Sequence, residues 1–318
     1  VSPLVLLENV LQALIAGLLI GSVYALMCLG LGLIFGVMRV INFAQGEFLM
    51  LGMYGTLYAY TWLALDRILG PYLGPIVAAV LAGVLLYFVG ILLHRYLLAR
   101  VTGMRVAGSE GEGHYPQLIL TLGLSLILAN GGLIFFGSTP ENIRTPLSAS
   151  AWEIGPFADQ FSVFLNKARS VAFLVSIAVA VLLFLFIGRT RIGKMLRAAA
   201  DNPEAATYMG IDVQRAHRIA FGLGCAVTAL AGGLVATYYP FQPYVGLEFV
   251  IIMYAGVVLG GMGSIGGAFW GGLTIGLVQQ LSTLVLPVQL QNTAIFVVFL
   301  LIMMLRPEGL FGRNVERA

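Results

Sequence analysis

The run Arg189-Thr-Arg191-Ile-Gly-Lys194-Met-Leu-Arg197-Ala-Ala-Ala-Asp201-Asn202-Pro203-Glu204-Ala205-Ala206-Thr-Tyr-Met-Gly210-Ile-Asp212 is a charged, cap-punctuated island in a chain that is nearly charge-free elsewhere. A short helix inside it has both ends marked. Asn202 is suited to accept the first free backbone N–H groups, and Pro203 fits the first helical position, where no N–H is needed. Glu204 complements the positive end of the helix dipole, and Gly210 suits the left-handed conformation that ends a helix. The seven residues between cap and stop make a helix of about 10 Å. Such a helix spans nothing and does not persist alone in water. It is expected to dock, most naturally on another protein.

Everything around the island is apolar. Of 318 residues 59% are hydrophobic and 10% charged, with a mean hydropathy of +0.96. A soluble domain carries about 25% charged residues, so the composition is that of an integral membrane protein. Stretches without Asp, Glu, Lys or Arg run 9–38, 48–65, 68–94, 113–140, 170–188, 219–247 and 249–305. A helix crosses the hydrocarbon with about 20 apolar residues. The first six stretches therefore supply one crossing each, and 249–305 two full or three short ones. The expectation is an all-α polytopic protein with eight or nine transmembrane helices. One membrane domain, 1–318, then carries a cytoplasmic loop 189–218 and an external loop 138–169.

The positive-inside rule orients it. With 189–218 in the cytoplasm, the 94–116 loop with Arg95, Arg100 and Arg105 falls on the same side, as does the Arg39 turn. The tail with Arg306, Arg313 and Arg317 joins them only if 249–305 crosses three times, which leaves Arg67, Arg144, Lys167 and Arg169 outside. The bias favours nine crossings, N-terminus out and C-terminus in; re-entrant segments remain an alternative for crossings so short. The apolar run 10–37 has no basic segment before it and is far longer than a signal core, so it reads as a span. Cys28 and Cys225 both lie within spans and read as small buried hydrophobes. The net charge of +3 reflects loop bias and carries no nucleic-acid signal. The 138–169 loop, with Trp152, reads equally as a partner surface or a plain connection.

Several motif matches carry no chemistry. Gly188-x4-Gly193-Lys194 lacks the Ser/Thr that holds magnesium, since Met195 stands there. Gly261-x-Gly263-x-x-Gly266 lacks an acidic partner for a ribose, there being none between 249 and 307. Gly123-x-Ser125 has no histidine base facing it from another span, because His94, His114 and His217 sit in or beside the cytoplasmic loops. No Cys/His pattern for a metal occurs. The pattern is not that of an enzyme.

The glycines read differently. Gly17/Gly21, Gly32/Gly36, Gly256/Gly260, Gly267/Gly271 and Gly272/Gly276 are small-xxx-small pairs that let helices pack closely. The run Gly260-Gly261-Met-Gly263-Ser-Ile-Gly-Gly267 is too dense in glycine for a continuous helix and predicts a turn or unwound segment. A second special segment is Arg39-Val-Ile-Asn42-Phe43-Ala44-Gln45-Gly46-Glu47. Asn42 and Gln45 read as an N-cap and its capping-box partner at the start of the second span. Glu47 is an ionisable group a turn inside that span. Two readings stand: Asn42, Gln45 and Glu47 line a permeation path near Gly260, Gly261 and Gly263, or Glu47 only complements a helix N-terminus in the headgroups. The first span is longer than one crossing needs, which would let 38–47 dip back into the membrane.

Val40-Ile-Asn-Phe-Ala-Gln-Gly-Glu47 together with Arg197-Ala-Ala-Ala-Asp-Asn-Pro-Glu-Ala-Ala-x3-Gly210 resembles the LivH-type permeases of branched-chain amino-acid ABC importers. Glu204-Ala205-Ala206-x3-Gly210 fits the cytoplasmic E-A-A-x3-G loop of bacterial ABC import permeases. Val257-Val-Leu-Gly-Gly-Met-Gly-Ser-Ile-Gly-Gly267 and Leu305-Arg-Pro-Glu-Gly-Leu-Phe-Gly312 are similar to the same family, and the likeness covers nearly the whole chain. The resemblance implies a multi-pass protein of the bacterial inner membrane, set in lipid and paired with a second, LivM-type permease. It also implies a periplasmic binding protein that delivers substrate and two cytosolic ATPases. No cofactor would be bound by this chain, ATP being hydrolysed on those partners. Asn202, Pro203, Glu204, Ala205, Ala206 and Gly210 would then form the ATPase-coupling element.

A self-sufficient secondary transporter or channel with broken helices is the alternative from another class. The capped basic helix has no evident use there. The apolar spans predict a small neutral or zwitterionic solute, because an unpaired buried charge is costly. A branched-chain amino acid is the first choice, and urea or a short amide the second.

Overall fold

The computed structural model describes residues 3–102, 115–157, 161–306 and 308–312. Arg105, His114, Pro307, Arg313 and Arg317, used above, lie outside them. The chain runs α1 (Pro3–Met38), α2 (Gln45–Trp62), α3 (Leu65–Leu93), a π-helical turn (His94–Leu98), α4 (Ala99–Thr102) and α5 (Tyr115–Phe136). A hairpin of β1 (Ala151–Phe157) and β2 (Phe161–Asn166) follows, then α6 (Lys167–Arg189), α7 (Arg191–Asp201), α8 (Pro203–Tyr208) and α9 (Val213–Val235). The chain closes with α10 (Val245–Gly260), α11 (Ile265–Ser282) and α12 (Gln291–Leu305). Among the described residues, five helices are long and apolar enough to cross a membrane, and α10 and α12 are shorter apolar helices. The protein is a mostly helical polytopic membrane protein.

The stretch 249–305 divides into three helices, because Gly261 (φ +103°) and Gly263 (φ +95°) hold backbone conformations that end α10 and reverse the chain into α11. Ser264 caps α11 by accepting from Gly267 N at 3.0 Å. The glycine run is thus a turn, as its composition requires. The small-residue pairs are packing surfaces. A Cβ on Gly276 would lie 2.2 Å from the Gly21 Cα, and one on Gly272 2.6 Å from the Ala25 Cα. Helices α1 and α11 therefore meet backbone to backbone. In lipid, where apolar surface gains little by leaving its solvent, such close contact is what holds helices together.

The 138–169 loop contains a two-stranded hairpin that its sequence did not reveal. Its strands pair antiparallel, Ala151 with Asn166 through Ile154 with Val163. A two-stranded hairpin is marginal alone, and this one is pinned to α1: Gln12 Nε2 donates to the Phe164 carbonyl at 2.7 Å, and Phe164 N donates to Gln12 Oε1 at 3.1 Å. Nearby, Glu141 and Phe241 exchange backbone hydrogen bonds at 2.9 Å.

The core lies where α1 and α9 cross α2, α10 and α11. Met27, Leu29, Leu33, Met50 and Met53 there are fully buried. Helices α5 and α6 pack on its flanks, with only 28% of each apolar window buried.

Candidate functional site

Two structural features converge on one cavity. The first is the island. Asn202 Oδ1 accepts from Ala205 N at 3.0 Å and Pro203 occupies the first turn of α8. At the other end Gly210 holds φ +79°, and Ile211 N donates to the Ala206 carbonyl at 2.9 Å. Helix α8 is six residues long, one fewer than the cap-to-stop count. Ahead of it, Thr190 caps α7 by accepting from Gly193 N at 3.0 Å, and Asp212 caps α9 by accepting from Arg215 N at 2.9 Å. Only Ala206 of α8 is buried, whereas Tyr208 and Met209 are 88% and 82% exposed. So much exposed apolar surface on so short and fully capped a helix is a knob shaped for another surface.

The second feature is the break between α1 and α2. After Met38 the chain is non-helical until Gln45, and Arg39 adopts φ +54°. The capping-box expectation is overturned. Ala44 occupies the N-cap position of α2 and makes no side-chain cap bond. Asn42 sits two residues further out, where its Oδ1 accepts from Ala44 N at 3.2 Å and its Nδ2 donates to Gln45 Oε1 at 2.9 Å. Gln45 is drawn inward by a distant helix: its Nε2 donates to the Gly224 carbonyl at 3.2 Å and to Thr228 Oγ1 on α9. A Cβ on Gly30 would strike that same Thr228 hydroxyl. Gly30 lies eight residues inside the Met38 end of α1, about 12 Å along it. The non-helical segment 39–44 therefore runs back alongside α1, so that α2 begins level with the interior of that helix rather than at its end.

Glu47 follows one turn into α2 and is 1% exposed. Its Oε1 accepts from Ser125 Oγ of α5 at 3.2 Å, while Oε2 has no hydrogen-bond partner. It sits at the α2–α10 crossing, where Gly46 and Gly246 touch: a Cβ on Gly46 would lie 2.1 Å from the Gly246 carbonyl oxygen. Glu47 is thus sealed between α2, α5 and α10 rather than set among headgroups. Asn42 and Gln45, both at 0%, are sealed with it. The three polar groups proposed from sequence as path-lining form a closed knot in this conformation.

The cavity below the knot has a volume of about 920 Å³. Arg39, Val40 and Ile41 from the break line it, with Ala200 and Asp201 from the end of α7 and Gly263 from the glycine turn. Arg39 Nη2 donates to the Ala200 carbonyl at 3.4 Å. Of the predicted glycines, Gly263 faces this space. Gly260 is packed against Gly267, and Gly261 against the tail at Gly312, whose neighbours bind α10 by Leu310 N to Leu259 O at 2.8 Å and Phe311 N to Gly260 O at 3.1 Å. The break, the end of α7 and the glycine turn share one chamber.

Two sets of polar residues were given no role by the sequence reading. His94, fully buried, stands against His217 with ring centroids 6.5 Å apart, and both of its nitrogens lack partners. Glu248 opens α10 beside Tyr239, whose hydroxyl donates to Glu248 Oε2 at 3.4 Å. The signal for Glu248 was present, since it alone separates the charge-free stretches 219–247 and 249–305. Gly46, Met53 and Tyr54 also recur at the same spacing as Gly246, Met253 and Tyr254, which marks α2 and α10 as counterparts.

A helical membrane bundle with a break between its first two helices, an exposed capped helix and a chamber bordering the break fits one class, a multi-pass transport permease. The chain belongs to the family described as branched-chain amino acid transport system / permease component, whose model matches residues 13–305. It is 30% identical over 314 residues to the high-affinity branched-chain amino acid transport system permease protein LivH of Escherichia coli strain K12, covering 96% of this chain and 97% of that one. The corresponding protein BraD of Pseudomonas aeruginosa is 31% identical over 309 residues, with the same coverage. A probable branched-chain amino acid transport permease protein LivH of Methanocaldococcus jannaschii is 33% identical over 264 residues, 82% of this chain and 78% of the relative. No solved structure matches.

Proposed function

We propose that this chain is one of two permease subunits of an inner-membrane ABC importer for branched-chain amino acids, a single permease domain with nine crossings, N-terminus outside and C-terminus inside. A LivM-type permease completes the pathway, a periplasmic binding protein delivers the solute, and two cytosolic ATPases supply the work. The substrate class follows the names of the relatives and the apolar character of the spans.

The observation that carries the mechanism is the chamber shared by the break and the end of α7. An ATPase gripping Tyr208 and Met209 moves α8. Asn202 joins α8 to α7, and Arg39 ties the end of α7 to the break. A shift of α7 by a few ångströms therefore pulls on segment 39–44 and loosens the Asn42–Gln45–Glu47 knot. The closed knot is the barrier, and its opening exposes polar groups to the passing solute. Polar side chains at membrane depth are costly unless they face partners or a cavity, and this knot alternates between the two.

Uptake by vesicles holding the full complex tests the reading, with leucine, urea, short amides and a dicarboxylate as competing solutes. Leucine is expected to be taken up preferentially and the dicarboxylate excluded. Preferential uptake of the dicarboxylate would refute the proposal.

A further inference from the structure

Glu248 is exposed, yet it is not at the end of the bundle. It lies 12 residues before Gly260, Asn292 lies 13 before Leu305, and Gln279 lies 14 after Ile265. Those three helix ends meet on one side, since the tail after Leu305 bonds to Leu259 and Gly260 and Gly260 packs on Gly267. At 1.5 Å per residue the three polar groups stand about 18–21 Å from that side, level with one another at the far ends of their helices. Helices α10 and α12, at 16 and 15 residues, are about 24 Å long or less, shorter than a hydrocarbon layer of about 30 Å.

A cavity of about 140 Å³ lies between these two helices. An apolar cavity of about 150 Å³ accepts a group as large as benzene, so this one has room for a branched aliphatic side chain. Ile251, Ile252, Ala255, Ile295 and Phe296 supply apolar walls, and Glu248 and Asn292 are its two polar residues. Asn292 is oriented: its Oδ1 accepts from Gln279 Nε2 at 3.3 Å, which turns its amide nitrogen, a donor, to other partners. A carboxylate, an amide donor and an aliphatic recess in one small cavity match the three parts of an aliphatic α-amino acid. Dipole compensation in the first turn of α10 would account for Glu248 alone; it accounts neither for Asn292 nor for the recess.

We propose that the α10–α12 cleft is a subsite for the arriving solute, Glu248 taking its ammonium, Asn292 donating to its carboxylate and the recess receiving a branched aliphatic side chain. The inference rests on the proposed function, namely that the chain carries a zwitterionic amino acid. The test uses the complete complex in proteoliposomes with leucine-loaded binding protein, and measures leucine uptake and stimulated ATP hydrolysis in parallel. Glu248→Gln, which keeps the shape and removes the charge, lowers uptake about tenfold or more while ATPase stimulation stays within about twofold. Glu248→Asp restores a substantial part of that uptake, and Ile252→Trp, which fills the recess, abolishes it in a complex that still assembles. Unchanged uptake in Glu248→Gln, or an equal fall in uptake, ATPase and assembly, overturns the subsite. Failure of the wild-type complex to take up any aliphatic amino acid overturns instead the function on which it rests.

Discussion

At the scale of single residues, the two ends of α8 show how far local rules reach. Gly210 has no neighbour within 4 Å of a built Cβ, so its φ of +79° is its only constraint. A β-branched residue there costs about 1–2 kcal/mol in the left-handed region, enough to re-aim Met209 and Ile211 without touching the spans. Gly210→Val is expected to reach the membrane normally and to lose coupled uptake and ATPase stimulation, and Gly210→Asn to retain much of both. Normal values in Gly210→Val would remove α8 from the mechanism. The cap at Asn202, the first-turn Pro203 and the stop at Gly210 were legible because each depends only on residues within a turn of it. Asn42 was misread for the converse reason. Nothing local distinguishes a cap from a residue whose neighbour Gln45 is held by Thr228, 183 positions away.

The helices themselves depend on close approach more than on apolar bulk. Gly276 meets Gly21 where a Cβ would be 2.2 Å from a backbone atom that cannot yield, whereas a Cβ on Gly36 would rest at 3.7 Å from its nearest neighbours. Gly276→Val is therefore expected to part α1 from α11 and to abolish the folded protein in detergent, and Gly36→Ala to leave its melting temperature within a few degrees. Fluorescence-detected size exclusion after stepped heating reads both. Stable Gly276→Val protein would contradict the packing described. Paired small residues at four-residue spacing made this surface legible. The hairpin was not: its alternation is interrupted between Ile154 and Phe157, and the partner that steadies it, Gln12, is remote in sequence. The division of 249–305 into short crossings was legible from its length, but the start of α10 at Val245 and the cavity between α10 and α12 had no signature beyond the single charge of Glu248.

Across the whole molecule, the central claim is mechanical: ATPase action on α8 passes through α7 and Arg39 to the break at 39–44 and opens the knot around Gln45. Sequence placed the island and the break on the page as separate segments, and only the fold shows them bordering one chamber. The two native cysteines, Cys28 and Cys225, are free and fully buried, which leaves an introduced thiol as the reporter. The direct measurement is the reaction of Gln45→Cys with a membrane-impermeant thiol reagent in the full complex, followed through the transport cycle. Labelling is expected to be slow at rest, to accelerate at least about tenfold when ATP and loaded binding protein are both present, and to stay slow when Gly210→Val is added. A rate indifferent to ATP and binding protein, or unaltered by Gly210→Val, would contradict the account.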